Sequence, residues 1–259
     1  MSQISPILAI AFRDIVKFVR DPARLAATFI FPIIFIGILG GSFAANLGEG
    51  FGFDYIAFTF TGVLGQTLFQ STADGIISLI DDRENDFSQE MFVSPISRYS
   101  IVVGKIVGES LVALTQGVGI ILFGLLIGVQ MSAGQVASLL PVALLCCLMG
   151  GAFGILVLAN LSSRRVASQI FPFIMLPQFF LAGVFNPIKV LPPYLEILSL
   201  ISPMRYAIDL TRGVFYAGQP DYAQVVLQPP IVNIGIMTVM FVVFLVIGTL
   251  LFVRRERNR

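Results

Sequence analysis

Long apolar stretches recur along this chain and constrain its fold more than any other feature. A helix needs roughly 20 mainly apolar residues to cross the hydrocarbon layer of a bilayer, about 30 Å thick, because each residue rises about 1.5 Å. Stretches of that order lie at about 25–45, 55–80, 101–128, 136–160, 167–186 and 231–253. With 56% hydrophobic and only 12% charged residues, the composition fits neither one large water-soluble domain nor two small ones. The expected class is therefore all-α: a polytopic membrane protein of six transmembrane helices, in one unit covering residues 1–259.

The segments between the spans carry the remaining structural signals. Over residues 4–20, Ile4, Leu8, Phe12, Ile15 and Val19 share one stripe, with Arg13, Asp14, Lys17 and Arg20 opposite. That pattern predicts an amphipathic helix in the membrane interface, within residues 1–24, ended by Asp21-Pro22 and meeting lipid with its apolar stripe. The N-terminus lacks the basic start and uninterrupted apolar centre of a signal peptide, so it is expected to stay on the mature protein. Between the fifth and sixth spans, residues 187–229 are apolar but broken by prolines. Their apolar pieces LEILSLI and YAIDLTRGVFY are too short to cross, which predicts re-entrant or interfacial helices covered by protein or water.

Lys and Arg resist translocation, so their placement sets orientation. The N-terminal segment, the 81–105 region, the 160–168 loop and the C-terminal tail together hold thirteen of the sixteen basic residues. Lys189, Arg205 and Arg212 fall on the other side. Six spans with both termini in the cytoplasm fit this distribution, which makes 81–98 cytoplasmic and 187–229 extracellular. The basic residues are scattered in short loops, so no nucleic-acid partner is expected.

The charged segment DDRENDFSQEMFVSPISR, residues 81–98, stands out from its apolar surroundings. Phe87 and Met91 are four apart, as are Glu84, Ser88 and Phe92, so a short helix would carry an apolar ridge beside an acidic one. Pro95 stops that helix, and Ser97 is placed to cap the next. A merely solvated loop would leave Phe87, Met91 and Phe92 facing water for no purpose. A docking element explains them better: the apolar knobs fill a cleft in a cytoplasmic partner, while the carboxylates orient it.

In the second span Gln66, Gln70, Asp74 and Ser78 recur every four residues and form one polar face. Lipid cannot satisfy such groups, so they face protein or a water-filled cavity. Two readings stand side by side: the lining of a translocation path, or contacts that hold helices together. Gln116, Gln169 and Gln178 read as packing contacts. Asp209 and Arg212, three apart, read as a structural ion pair. Cys146 and Cys147 read as small buried residues, and a chain without histidine has no His-based metal or acid–base site. No carboxylate pair, Ser/Lys dyad or Cys/His set is placed for catalysis, so no enzyme site, metal or cofactor is expected in this chain.

Residues 82–98 resemble DREFGFLKEMLVAPVSR, a cytoplasmic segment typical of exporter permeases of the ABC transporter superfamily, type 2 class. Asp82, Arg83, Glu84, Phe87, Glu90, Met91, Val93, Pro95, Ser97 and Arg98 match, while Asn85, Asp86 and Ser88 depart. RDIVKFVRDPARL resembles the family's connecting helix. GVFNPIKVLPPYLEILSLISPMRYAIDLTRG, with Pro203, Tyr206, Asp209 and Arg212 as structural residues, resembles its extracellular re-entrant region. The likeness covers essentially the whole chain.

The resemblance implies one permease domain that pairs with a second copy or a related permease and with a separate ATP-binding subunit. Mg-ATP would sit on that partner, and this chain contains no G-x-x-x-x-G-K-[ST] sequence. It further implies that 81–98 is a coupling helix contacting the ATPase, with Arg83, Glu84, Phe87, Glu90, Met91, Phe92 and Pro95 as coupling residues. The expected function is multidrug-type or lipid export across the cell membrane. An exporter of polysaccharide or lipid-linked glycan is the alternative within transport. Sugar platforms favour Tyr and Trp, and this chain has 24 Phe, 6 Tyr and no Trp, which leans toward a hydrophobic, drug-like or lipid cargo. An ATP-independent membrane scaffold that recruits a cytoplasmic partner is the alternative of a different class.

Overall fold

The computed structural model describes residues 4–84, 97–157, 161, 163–189 and 191–257. Every regular element among them is helical. In chain order these are α1 (Ile4–Val19), α2 (Pro22–Ile33), a π-helical stretch (Ile34–Gly40), α3 (Gly41–Phe51), α4 (Tyr55–Gly75) and α5 (Ile77–Glu84). There follow α6 (Arg98–Leu126), α7 (Ala133–Val157), α8 (Arg164–Leu181), α9 (Pro193–Ile201), α10 (Pro203–Phe215), α11 (Tyr222–Val225) and α12 (Pro230–Arg257).

Short polar side chains start several of these helices by accepting from otherwise unpaired backbone N–H groups. Asp21 accepts from Arg24 N at 2.9 Å, Asp54 from Ile56 N and Ala57 N, Ser97 from Tyr99 N, and Ser163 from Val166 N. The expected break at Asp21-Pro22 and the expected cap at Ser97 are thus both present. Pro32 lies inside α2, where it has no N–H to give and its ring crowds the preceding turn. The helix continues beyond it as the π-helical stretch, a register change of the kind that relieves such crowding.

Among the described residues, four helices are long and apolar enough to cross a membrane: Pro22–Asn46, Arg98–Leu126, Ala133–Val157 and Tyr222–Arg255. The other two expected spans, 55–80 and 167–186, exist as helices but are not in that set. α4 ends at Gly75 and α5 resumes at Ile77, and α8 is an 18-residue helix that opens on Arg164 and Arg165 and contains Pro172 and Pro177. The reason for the lower hydropathy of α4 is its position. It lies at the centre, packed on α6, α7 and α10, and nearly every residue from Tyr55 to Phe69 is buried by protein. A helix surrounded by protein can keep Thr, Gln and Gly that a lipid-facing one could not.

α10 is driven against α4 and α7, with every residue but Val214 buried. Two glycines on α4 make the approach possible: a Cβ at Gly62 would collide with Val184 O, and one at Gly65 would lie 2.9 Å from Thr211 Oγ1. At the opposite end α1 lies along α6, received by Gly104 and Gly108, where a Cβ at Gly108 would be 3.0 Å from Ala11 Cα. α1 packs through Ile10, Ala11, Asp14 and Phe18, which are all buried. Its apolar stripe faces outward, with Leu8 60% and Phe12 70% exposed, and a second, inner face does the docking.

Candidate functional site

Where α1, α2, α5 and α6 meet, buried charges join the four helices. Lys105 Nζ on α6 lies 2.8 Å from Asp14 Oδ2 on α1 and 3.0 Å from Glu109 Oε1 one turn along α6, and all three side chains are 2% exposed. Glu109 also meets Arg24 of α2 at 3.4 Å and accepts from Ser78 Oγ of α5 at 3.2 Å. Arg13 of α1 reaches both Asp14 and Asp82, and Lys17 approaches Asp82 at 3.6 Å. Burial alone would lower the Arg13 pKa, but the adjacent Asp82 and Asp14 carboxylates outweigh it and hold the group above its usual value. Removing one partner from such a set leaves an uncompensated buried charge, at a cost of about 3–5 kcal/mol.

Directly beside this cluster, a groove of about 350 Å³ runs between α2 and α4. Gln66, Gln70 and Asp74 line its α4 wall, Arg24, Phe31 and Pro32 its α2 wall, and Gln116 of α6 closes it. The amides of Gln66 and Gln70 bond to each other, while Gln66 Oε1 and Thr67 Oγ1 have no hydrogen-bonding partner among the described residues. Asp74 is exposed to the groove. The opposite end of the molecule handles charge differently. Asp209 of α10 accepts from Leu227 N at 2.7 Å, Gln228 N at 3.0 Å and Asn233 Nδ2 at 2.8 Å. Arg212 donates to the carbonyls of Gly183 at 2.8 Å, Val184 at 3.2 Å and Phe58 at 3.4 Å, and stacks 3.6 Å from the Phe58 ring centroid.

A family model for ABC-2 type transporters matches residues 6–216, the stretch that contains both the cluster and the groove. The chain belongs to the ABC-2 type transporter family. It is 24% identical to a protein named transport permease ycf38 from Cyanophora paradoxa, over 96% of this chain and 88% of the relative. It is 27% identical to one named inner membrane transport permease YadH from Escherichia coli K12, over 81% of this chain and 79% of the relative. A third relative, named a multidrug ABC transporter permease (YbhR, Escherichia coli K12), is 27% identical over 54% of this chain and 38% of its own length. An ABC-2 permease is the membrane-embedded subunit of an ABC transporter, and membership implies an ATP-binding partner subunit.

Within this ABC-2 permease the expected polar face of 55–80 divides. Gln66, Gln70 and Asp74 come together in the groove, whereas Ser78 turns to Gly75 O and Glu109. Gln116, expected as a packing contact, stands in the groove wall because α6 crosses α4 at that level. Gln178 bonds to Ile174 O and Ser202, as a packing residue does, and Gln169 is exposed. The ion pair expected between Asp209 and Arg212 is replaced by separate partners, since both side chains turn to nearer backbone groups. Pro203 opens α10, and Tyr206 donates to Leu200 O at 2.7 Å. Cys146 and Cys147 are buried free thiols, as expected.

Of the residues expected to couple to the ATPase, Arg83 and Glu84 lie in the last turn of α5, while Phe87, Glu90, Met91, Phe92 and Pro95 fall outside the described residues. The ionic cluster was missed by sequence reasoning. Lys105 counted there only as an orienting charge, and Glu109 not at all. The available signal was their spacing: two opposite charges four apart inside an otherwise apolar helix.

Proposed function

We propose that this chain is the membrane subunit of an ATP-driven exporter that moves an amphipathic, drug-like or lipid molecule out of the cytoplasm, with ATP hydrolysed on a separate subunit. It crosses the membrane six times with both termini in the cytoplasm, and it works beside a second copy or a related permease. The observation that carries this reading is the groove between α2 and α4, where amides and a carboxylate face Phe31 and Pro32 across a space large enough for an organic molecule.

The ionic cluster supplies a route from the partner to that groove. α5 leads into the 85–96 segment, where the ATPase docks. Asp82 ties α5 to α1 through Arg13 and Lys17. Asp14 ties α1 to α6 through Lys105, and Glu109 ties α6 to α2 through Arg24, itself a groove residue. Movement at α5 therefore reaches the α2 wall through paired charges and the α4 wall through the chain itself, which joins α4 to α5 at Ile76. Thermodynamically the ATP-bound partner need only favour one arrangement of these helices over the other.

The test is the double variant Phe87→Ala, Met91→Ala in cells that express both subunits. Membrane insertion should be normal, while ATPase co-purification and transport fall at least tenfold, as expected when apolar anchors are removed. Unchanged co-purification and transport would sink the docking assignment.

A further inference from the structure

Resting on the reading of the groove as the cargo path, we propose that its cargo is a cationic amphiphile, with an ammonium nitrogen lodged at Asp74 and the apolar body against Phe31 and Pro32. Several polar groups of the groove are already engaged. Its cation, Arg24, is engaged by Glu109 at 3.4 Å. Gln70 Oε1 is engaged by the Gln66 amide. The groove's carboxylate remains open. Asp74 has no ion pair or hydrogen bond among the described residues, although Arg24 and Arg164 lie near enough to act on it through space. Gln66 Oε1 and Thr67 Oγ1 lack partners too, and these residues are only 2% and 8% exposed.

Any occupant of the groove strips water from the Asp74 carboxylate, a cost that one with N–H donors and positive charge offsets, while the enclosed Gln66 Oε1 and Thr67 Oγ1 add acceptor dipoles behind the wall. An anionic occupant would meet Asp74 with like charge and would have to draw Arg24 away from Glu109. A neutral one would leave the carboxylate unpaired. The aromatic and prolyl surface of α2 then accommodates the hydrocarbon part, so one molecule with a charged amine and an apolar body satisfies both walls.

The chain carries its own reporter background, because Cys146 and Cys147 are both buried. A single Ser71→Cys substitution places an alkylatable thiol on the groove wall. In full-length permease in lipid nanodiscs, maleimide labelling of that thiol is measured against dodecylammonium, dodecanol and dodecyl sulfate, which share one tail. Dodecylammonium should protect at about tenfold lower concentration than the other two, the order expected for a charge-assisted contact. Asp74→Asn should abolish the preference and Asp74→Glu should keep it. Equal protection by the sulfate or the alcohol, or a preference that survives Asp74→Asn, overturns the ammonium assignment while the groove remains a binding site. Protection by none of the three overturns the groove as the cargo path, and the ammonium assignment with it.

Discussion

The two ends of the bundle both bury charge, but they satisfy it in different ways. At the α1 end, side chains neutralise side chains: Asp14, Lys105, Glu109, Arg24, Arg13 and Asp82 form pairs across four helices. At the α10 end, Asp209 and Arg212 are held largely by backbone groups, Arg212 by three carbonyls and Asp209 by two N–H groups and Asn233. Side-chain pairs can exchange partners when helices shift, because each charge is on a flexible arm. Backbone partners move only with the chain that carries them. The first arrangement suits a transmission zone, and the second pins a wedge in place.

That contrast can be broken experimentally. The largest effect is expected for Arg212→Met, which strips three carbonyls of their donor and removes the group stacked on Phe58. Stability should fall by about 4 kcal/mol, and no second side-chain substitution should restore it, since the orphaned partners are backbone. Lys105→Met should cost about 3 kcal/mol by taking from the buried Asp14 and Glu109 the cation they share, yet adding Asp14→Asn and Glu109→Gln should recover all but about 1 kcal/mol. In both cases the buried Cys146 and Cys147 report unfolding when they become reactive to a thiol dye on heating. Failure of the triple variant to recover stability would show that the cluster is as rigid as the α10 end.

Gly75→Ala should be mildest, at about 1–2 kcal/mol. A Cβ there collides with the Glu109 carboxylate, pushing it from Lys105 and Arg24 without removing any charge. Its diagnostic readout is transport, which should fall more than stability if the cluster transmits motion.

The helix order and several boundaries were legible in the residues, because caps and breakers act locally: Asp21-Pro22 and Ser97 do their work within one turn. Polar periodicity identified Gln66, Gln70 and Asp74 as sharing a face, which a 3.6-residue repeat dictates. It could not say what that face met. Gln116 lies on another helix and joins the groove only through the α4–α6 crossing. The expected Asp209–Arg212 pair failed for a related reason. Spacing of three makes contact possible, but Leu227, Gln228 and the turn at Gly183 offer better-placed partners from distant parts of the chain. The apolar stripe of α1 was correctly seen and its inner face was not, since Ile10 and Ala11 acquire meaning only against Gly104 and Gly108.

The sequence by itself determined that this chain is helical and membrane-embedded, because hydropathy, helix length and local capping are properties of contiguous residues, and the motif over 82–98 carried the resemblance to the ABC-2 family. Only the tertiary structure decided which helix is central, which glutamines line a groove and which charges neutralise one another. Those outcomes depend on pairs far apart in the chain, such as Asp14 with Lys105 and Arg24 with Glu109. No local periodicity encodes which distant helix face a buried charge will find.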